Sequence, residues 1–175
     1  MPYPPQFSPY ILDVEASGFG SDSYPIEVGL ALEEGARFCS LITPAKDWLH
    51  WDDSAESVHH ISRQVLQDHG KPVQAVAHEL NRLLHGKFVF SDGWVVDEPW
   101  IIRLFTEARM EMRFTIYDLQ TILTEAQMDV WHEVKAVVAD ELNLERHRAS
   151  NDAFVIQETF RRSSGVVSPT LVQSL

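Results

Sequence analysis

A chain of 175 residues with a 45% hydrophobic share is long enough to bury one real core and short for two ordinary domains, so one compact domain is expected. With 26 acidic against 14 basic residues, the formal charge of −12 disfavours loose binding along long nucleic acid, where phosphate contacts supply most of the affinity. It leaves room for a short or end-bound strand and for a site whose acids hold divalent metal.

No stretch approaches the roughly 18 uninterrupted apolar residues of a membrane span, and the opening MPYPPQFSPY lacks the basic-then-apolar layout of a secretory signal, so a cytoplasmic location is expected. Cys39 is the one cysteine. It has no partner for a disulfide or a CxxC metal site and reads as a small buried apolar residue.

Three strands open the chain: Tyr10 to Val14, Pro25 to Leu32 and Arg37 to Thr43, with turns at Gly18 to Tyr24 and Glu33 to Gly35. The pattern turns helical from Ser54, with one helix closing on Gly70 and a second on Gly86. A fourth strand is read at Lys87 to Ser91, a helix near Glu98 to Met110, and a fifth strand at Arg113 to Tyr117. Leu119 to Leu142 reads as largely helical with one break, and a last helix runs from about Ser150 to about Arg162. Strands interleaved with helices in this order imply an α/β fold, a mixed five-stranded sheet flanked by helices, with residues 1–162 as the domain and 163–175 as a C-terminal tail.

In the first strand the stretch DVE places Asp13 and Glu15 on one face, about 7 Å apart along the chain. Like charges so close repel unless solvent or a cation screens them, and paired hard oxygen ligands suit Mg²⁺ or Mn²⁺. Alone, D-x-E also describes a strand end facing water. In SDGWVVDEPWI, Asp97 stands at a helix start, where unsatisfied N–H donors favour an acid and where helix capping is sufficient explanation. In RHRASNDAF, His147 precedes Asp152 by five residues, with Ser150 or Asn151 placed to cap the last helix.

Taken in order, D-x-E in the first strand, an aspartate after the fourth strand and H-x-x-x-x-D opening the last helix resemble the DEDD exonuclease superfamily in its histidine branch, the group of ribonuclease T, oligoribonuclease and the proofreading subunits of bacterial polymerases. The likeness spans roughly Ile11 to Phe160; HRASNDA looks like the third motif, and VHHIS, Val58 to Ser62, is similar to the segment preceding the family's helices. The resemblance implies a ribonuclease H-like fold and a two-metal 3′-to-5′ exonuclease acting on short single-stranded RNA or DNA ends, with two Mg²⁺ or Mn²⁺ ions. It implies Asp13, Glu15, Asp97 and Asp152 as metal ligands and His147 as general base, and it makes a homodimer an expectation. Two metals about 3.5 to 4 Å apart relieve charge on both the attacking and the leaving oxygen, and a near-neutral histidine just before a helix can take a water's proton.

The chain departs from the family pattern at Ala16 and Ser17, where a threonine usually follows D-x-E, and in the second motif, where Asp92 competes with Asp97. Ser17, Gly18 and Phe19 follow the site strand where ribonuclease T-like members stack an aromatic on the terminal base; Phe19 reads equally as a turn residue in the core. Arg146 and Arg148 flank His147, placed either to meet phosphate or as solvated charge, and Trp48 and Trp51 either line a strand channel or pack on their own domain. A non-catalytic nucleic-acid-binding or interaction protein on the same fold is the alternative reading, and an endonuclease of ribonuclease H type is a third.

Overall fold

The computed structural model describes residues 7–166. Its sheet holds β1 (Tyr10–Ala16), β2 (Pro25–Ala31), β3 (Arg37–Leu41), β4 (Phe88–Ser91) and β5 (Thr115–Asp118) in the spatial order β3-β2-β1-β4-β5. β2 is antiparallel to both β1 and β3, whereas β4 is parallel to β1 and to β5. Only β2 therefore runs against the other four. This is the mixed five-stranded α/β sheet flanked by helices that the sequence implied, of ribonuclease H-like type.

The alternation of β1 decides which side of the sheet does what. Leu12, Val14 and Ala16 face a core shared with Ile26, Val28 and Leu30 of β2. That core is covered by α3 (Val73–Leu84) and α4 (Trp94–Ala108) through Leu80, Leu84, Ile101 and Leu104. Ile11 faces the other way, into a second cluster with Ala31, Phe90 and residues of α5 (Glu125–Leu142) and α6 (Ala149–Val166), including Trp131, Ile156 and Phe160. Asp13 and Glu15 share the face of Ile11 and lie on this second side, toward the carboxyl end of β1.

The structure moves several predicted boundaries. The helix read from Ser54 to Gly70 is two, α1 (Asp53–His59) and α2 (Arg63–His69), because His60 takes a left-handed conformation (φ 57°, ψ 24°) and Ser62 caps a new start by accepting from the Val65 amide. α4 begins at Trp94, four residues before the predicted Glu98, with Pro99 inside the helix rather than at its first position. β3 ends at Leu41 rather than Thr43. Leu119–Ile122 is a separate 3-10 turn, after which Thr124 and Gln127 form a reciprocal capping box at the start of α5. α6 continues past Arg162 to Val166, so the predicted tail begins inside a helix; residues 167–175 of it lie outside the described residues. Cys39 is not buried: on the outer strand β3 it is exposed, and its thiol donates to Glu27 Oε1 at 3.2 Å. No described helix is long and apolar enough to cross a membrane.

Candidate metal centre

The carboxyl ends of the parallel strands β1 and β4 lie side by side, the place where open α/β sheets put their ligand sites. Asp13 pairs with Gly29 of β2 and Glu15 with Glu27. Burial, reinforced by the charges of Asp97, Glu15, Asp152 and Asp92, holds the Asp13 carboxyl well above the usual carboxylate range. Burial likewise pushes Glu15 up to about 7, with Asp152, Glu27 and Asp97 adding to the shift and Arg148 opposing it. Four acids from three elements thus repel one another through a partly dry space.

Asp97 arrives from α4, directly after β4. It is 3% exposed, and burial pushes its carboxyl up to about 7 against the opposing hydrogen bond from the Ser91 hydroxyl, 2.5 Å from Oδ2. Ser91 is the last residue of β4, and its oxygen also accepts from the Gly93 amide, so the strand end and the first turn of α4 are tied at one atom. Asp92, the competing acid, is exposed and pairs with Lys135 of α5 at 2.8 Å.

The start of α6 supplies the rest. Gly29 makes this approach available: a Cβ there would lie 2.0 Å from the Ser150 amide nitrogen and 2.2 Å from the Ala149 carbonyl carbon. The helix therefore begins directly on the sheet. Beside Gly29 on the same face, Glu27 is fully buried, and its Oε2 accepts from the Ala149 amide at 2.9 Å, satisfying one of the donors that a helix start leaves orphaned. Its other oxygen takes the Arg148 guanidinium at 2.7 Å from Nη2 and 3.1 Å from Nε. His147, immediately upstream, is held in the left-handed region (φ 58°) with its amide donating to Asp152 Oδ2 at 2.9 Å. Asp152 Oδ1 accepts from Arg146 Nε at 3.0 Å. A carboxylate offers about four lone-pair directions, so both oxygens keep capacity for a further ligand. Glu15, His147 and Asp152 present ligand atoms all within 4.8 Å of one another.

Along the rim, the Ser17 hydroxyl lies 2.9 Å from His50 Nδ1 and accepts from the Tyr24 amide. Gly18 (φ 146°) is required: a Cβ would come within 2.7 Å of Asp52 Cβ and 2.8 Å of His50. The tight turn throws Phe19 outward, 74% exposed, its ring 6.1 Å from that of buried Trp100. Phe19 is thus no core residue. Trp48 is, stacked on Tyr24 at 5.2 Å, while half-buried Trp51 donates to Glu56 Oε2 and carries Arg63 over its ring. His59 is buried behind this rim and accepts the Ile61 amide through Nδ1.

The structure thus brings Glu15, His147 and Asp152 together, couples Asp13 and Asp97 to them electrostatically, and engages Arg148 with Glu27 rather than leaving it free toward solvent. Sequence reasoning missed Glu27, Gly29, Ser91 and Lys135. Among these Glu27 carried a signal, as the one acid in an otherwise apolar strand, PIEVGLA. The donor set is hard oxygen plus one imidazole, and burial together with the charges of neighbouring acids raises Asp13 and Glu15, a condition a divalent cation relieves. Glu15, Asp152 and His147 therefore offer a donor set that suits a hard divalent cation, with the carboxylates of Asp13 and Asp97 acting on it electrostatically.

No family model matches the sequence, and no curated protein matches it either. Solved structures do match the fold. E. coli exonuclease I in a zinc-bound complex with single-stranded DNA is 13% identical, with a TM-score of 0.66 over 95% of this chain and 42% of that chain. The same enzyme in complex with a dA16 oligonucleotide gives 13% identity and a TM-score of 0.65 over 93% and 43%. A product-bound exonuclease I structure gives 12% and 0.63 over 93% and 46%. The chain spans less than half of these chains, and what it shares with that part of exonuclease I is the fold.

Proposed function

We propose that the protein is a divalent-metal-dependent 3′-to-5′ exonuclease that hydrolyses phosphodiester bonds at the ends of short single-stranded RNA or DNA. One observation carries the reading: Glu15 from a strand and His147 and Asp152 from a helix start, distant in sequence, converge with ligand atoms within 4.8 Å beside two further acids. The fold shared with exonuclease I, which is known in complexes with single-stranded DNA, supports it.

In this reading Asp13, Glu15, Asp97 and Asp152 hold the metal, which when bound lowers the barrier by relieving negative charge on the phosphodiester. His147 accepts the proton of the attacking water. Its exposed position ahead of α6 leaves the ring free to turn toward a substrate, while its backbone stays fixed by the bond to Asp152. Phe19 offers its exposed face to the terminal base, an attraction that tolerates any base. Ser17 and Gly18 shape the turn that presents it.

The test is digestion of 3′- and 5′-labelled short RNA and DNA oligonucleotides with Mg²⁺ or Mn²⁺, comparing wild type with Asp13→Ala and His147→Ala. Stepwise shortening from the 3′ end that drops at least about a hundredfold in both variants is expected. Metal and oligonucleotide binding without cleavage would favour the non-catalytic alternative, and internal cuts in a hybrid duplex would indicate an endonuclease.

A further inference from the structure

Glu27 lies where a carboxylate has no metal-binding reason to be. It sits on β2 beside Glu15, across the β1–β2 pairing, and is fully buried. Three donors converge on it: the Ala149 amide, the Arg148 guanidinium through two nitrogens, and the Cys39 thiol. Glu15 stands directly opposite Glu27 in the β1–β2 register and on the same face, so the guanidinium held on Glu27 lies next to a member of the proposed metal centre. A guanidinium on Glu15 would compete directly with a divalent cation, because both use the same carboxylate lone pairs.

We infer that Glu27 is a positioning residue with two tasks: its Oε2 pins the first amide of α6, which carries Asp152, and its charge keeps Arg148 off Glu15, so that Glu15 stays open to metal. The inference rests on the metal-site reading above and adds a residue outside the ligand set. It also accounts for a buried acid in a strand whose other residues are apolar, since a buried carboxylate is tolerable only when paired and hydrogen-bonded.

A purely structural ion pair and a sequestering one make different predictions for the double variant. Glu27→Gln keeps the shape and an oxygen for the Ala149 amide but releases Arg148. Mn²⁺ binding, read from the paramagnetic resonance signal of the free ion and hence independent of activity, is expected to weaken about tenfold or more, the usual scale for partners that orient metal ligands. Adding Arg148→Gln removes the competitor, and affinity is expected to return to within about threefold of wild type, well inside that scale. If Glu27→Gln does not fold, Arg148→Gln alone answers the question. Sequestration predicts Mn²⁺ binding no weaker than wild type, whereas an anchor that needs both partners predicts weaker binding.

Unchanged binding in Glu27→Gln, or a double variant as weak as the single, overturns the inference while leaving the metal centre intact. Wild-type protein that binds no Mn²⁺ overturns the metal centre itself, and this inference with it.

Discussion

Phe19 shows how much one side chain can be asked to do. It is 74% exposed beside a glycine whose φ of 146° leaves the turn little freedom, so its position is set by backbone rather than by burial. Removing it should therefore spare the fold and injure substrate recognition. Phe19→Ala is expected to cost about 1 to 3 kcal/mol of binding, a rise in KM of roughly fivefold to a hundredfold, with Tm unchanged; an unchanged KM together with a lower Tm would make Phe19 structural. The residues of the site were unequally legible. Asp13 and Glu15 stand out because carboxylates break an apolar strand, and His147 with Asp152 through their spacing at the start of the last helix, although Ser150 and Asn151, read as its caps, lie inside α6. Asp97 and Asp92 both follow the same strand; the structure buries Asp97 beside Ser91 and pairs Asp92 with Lys135 at the surface. Glu27 gave the same local signal, an acid in an apolar strand, but its role was not legible, because its helix partners lie 121 and 122 residues away, at Arg148 and Ala149, and no local pattern encodes a contact of that range.

At the scale of elements, α6 carries the design. Its first turn lies on Gly29, Gln157 midway donates to the carbonyls of Pro9 and Leu32, and Ala153, Ile156 and Phe160 fill the second core cluster. Placing Asp152 against β1 depends on how closely the first turn sits. In Gly29→Ala the new Cβ would meet main-chain atoms of Ala149 and Ser150, which cannot rotate away as a side chain could. Destabilisation of about 2 to 3 kcal/mol or more is expected in denaturant unfolding, accompanied by weakened Mn²⁺ binding. A loss under about 0.5 kcal/mol, the range of an ordinary surface substitution, would mean that the helix start is not seated on the sheet. The strands were legible to within one or two residues because alternation and turn residues bracket them. The α1–α2 break was not, since a single left-handed residue at His60 leaves the apolar period undisturbed on both sides. α4 starts one turn earlier than its sequence reading, and the structure accommodates Pro99 inside it, with Val95, whose carbonyl loses its helical partner there, 77% exposed.

For the whole molecule the governing fact is charge. The chain carries −12 overall, and the cations nearest the site are already engaged, Arg146 by Asp152, Lys135 by Asp92 and Arg148 by Glu27. Beyond the Arg146 pair on Asp152, further relief for the clustered carboxylates comes from protons or from metal, and the two compete. Glu15 rises from an ordinary 4.5 to about 7 and Asp97 from 3.8 to about 7, so around pH 5 to 6 the metal-free folded state holds protons that the unfolded chain has already released. Stability falls with rising pH wherever the folded state binds more protons, so this contribution is fully present below about pH 4 and is lost as pH rises through about 7. Metal acts in the opposite sense, because it binds the deprotonated ligands of the folded state and stabilises by mass action. The Tm of chelator-treated protein should therefore fall between about pH 5 and pH 8, and millimolar Mg²⁺ or Mn²⁺ should recover more of it at the upper end than at the lower. Asp13→Asn should flatten the metal-induced recovery, since it removes one of the proposed metal ligands. A metal-free Tm that climbs across this window, or a metal-induced rise equal at both ends of it, would mean that these carboxylates do not act as one coupled cation site.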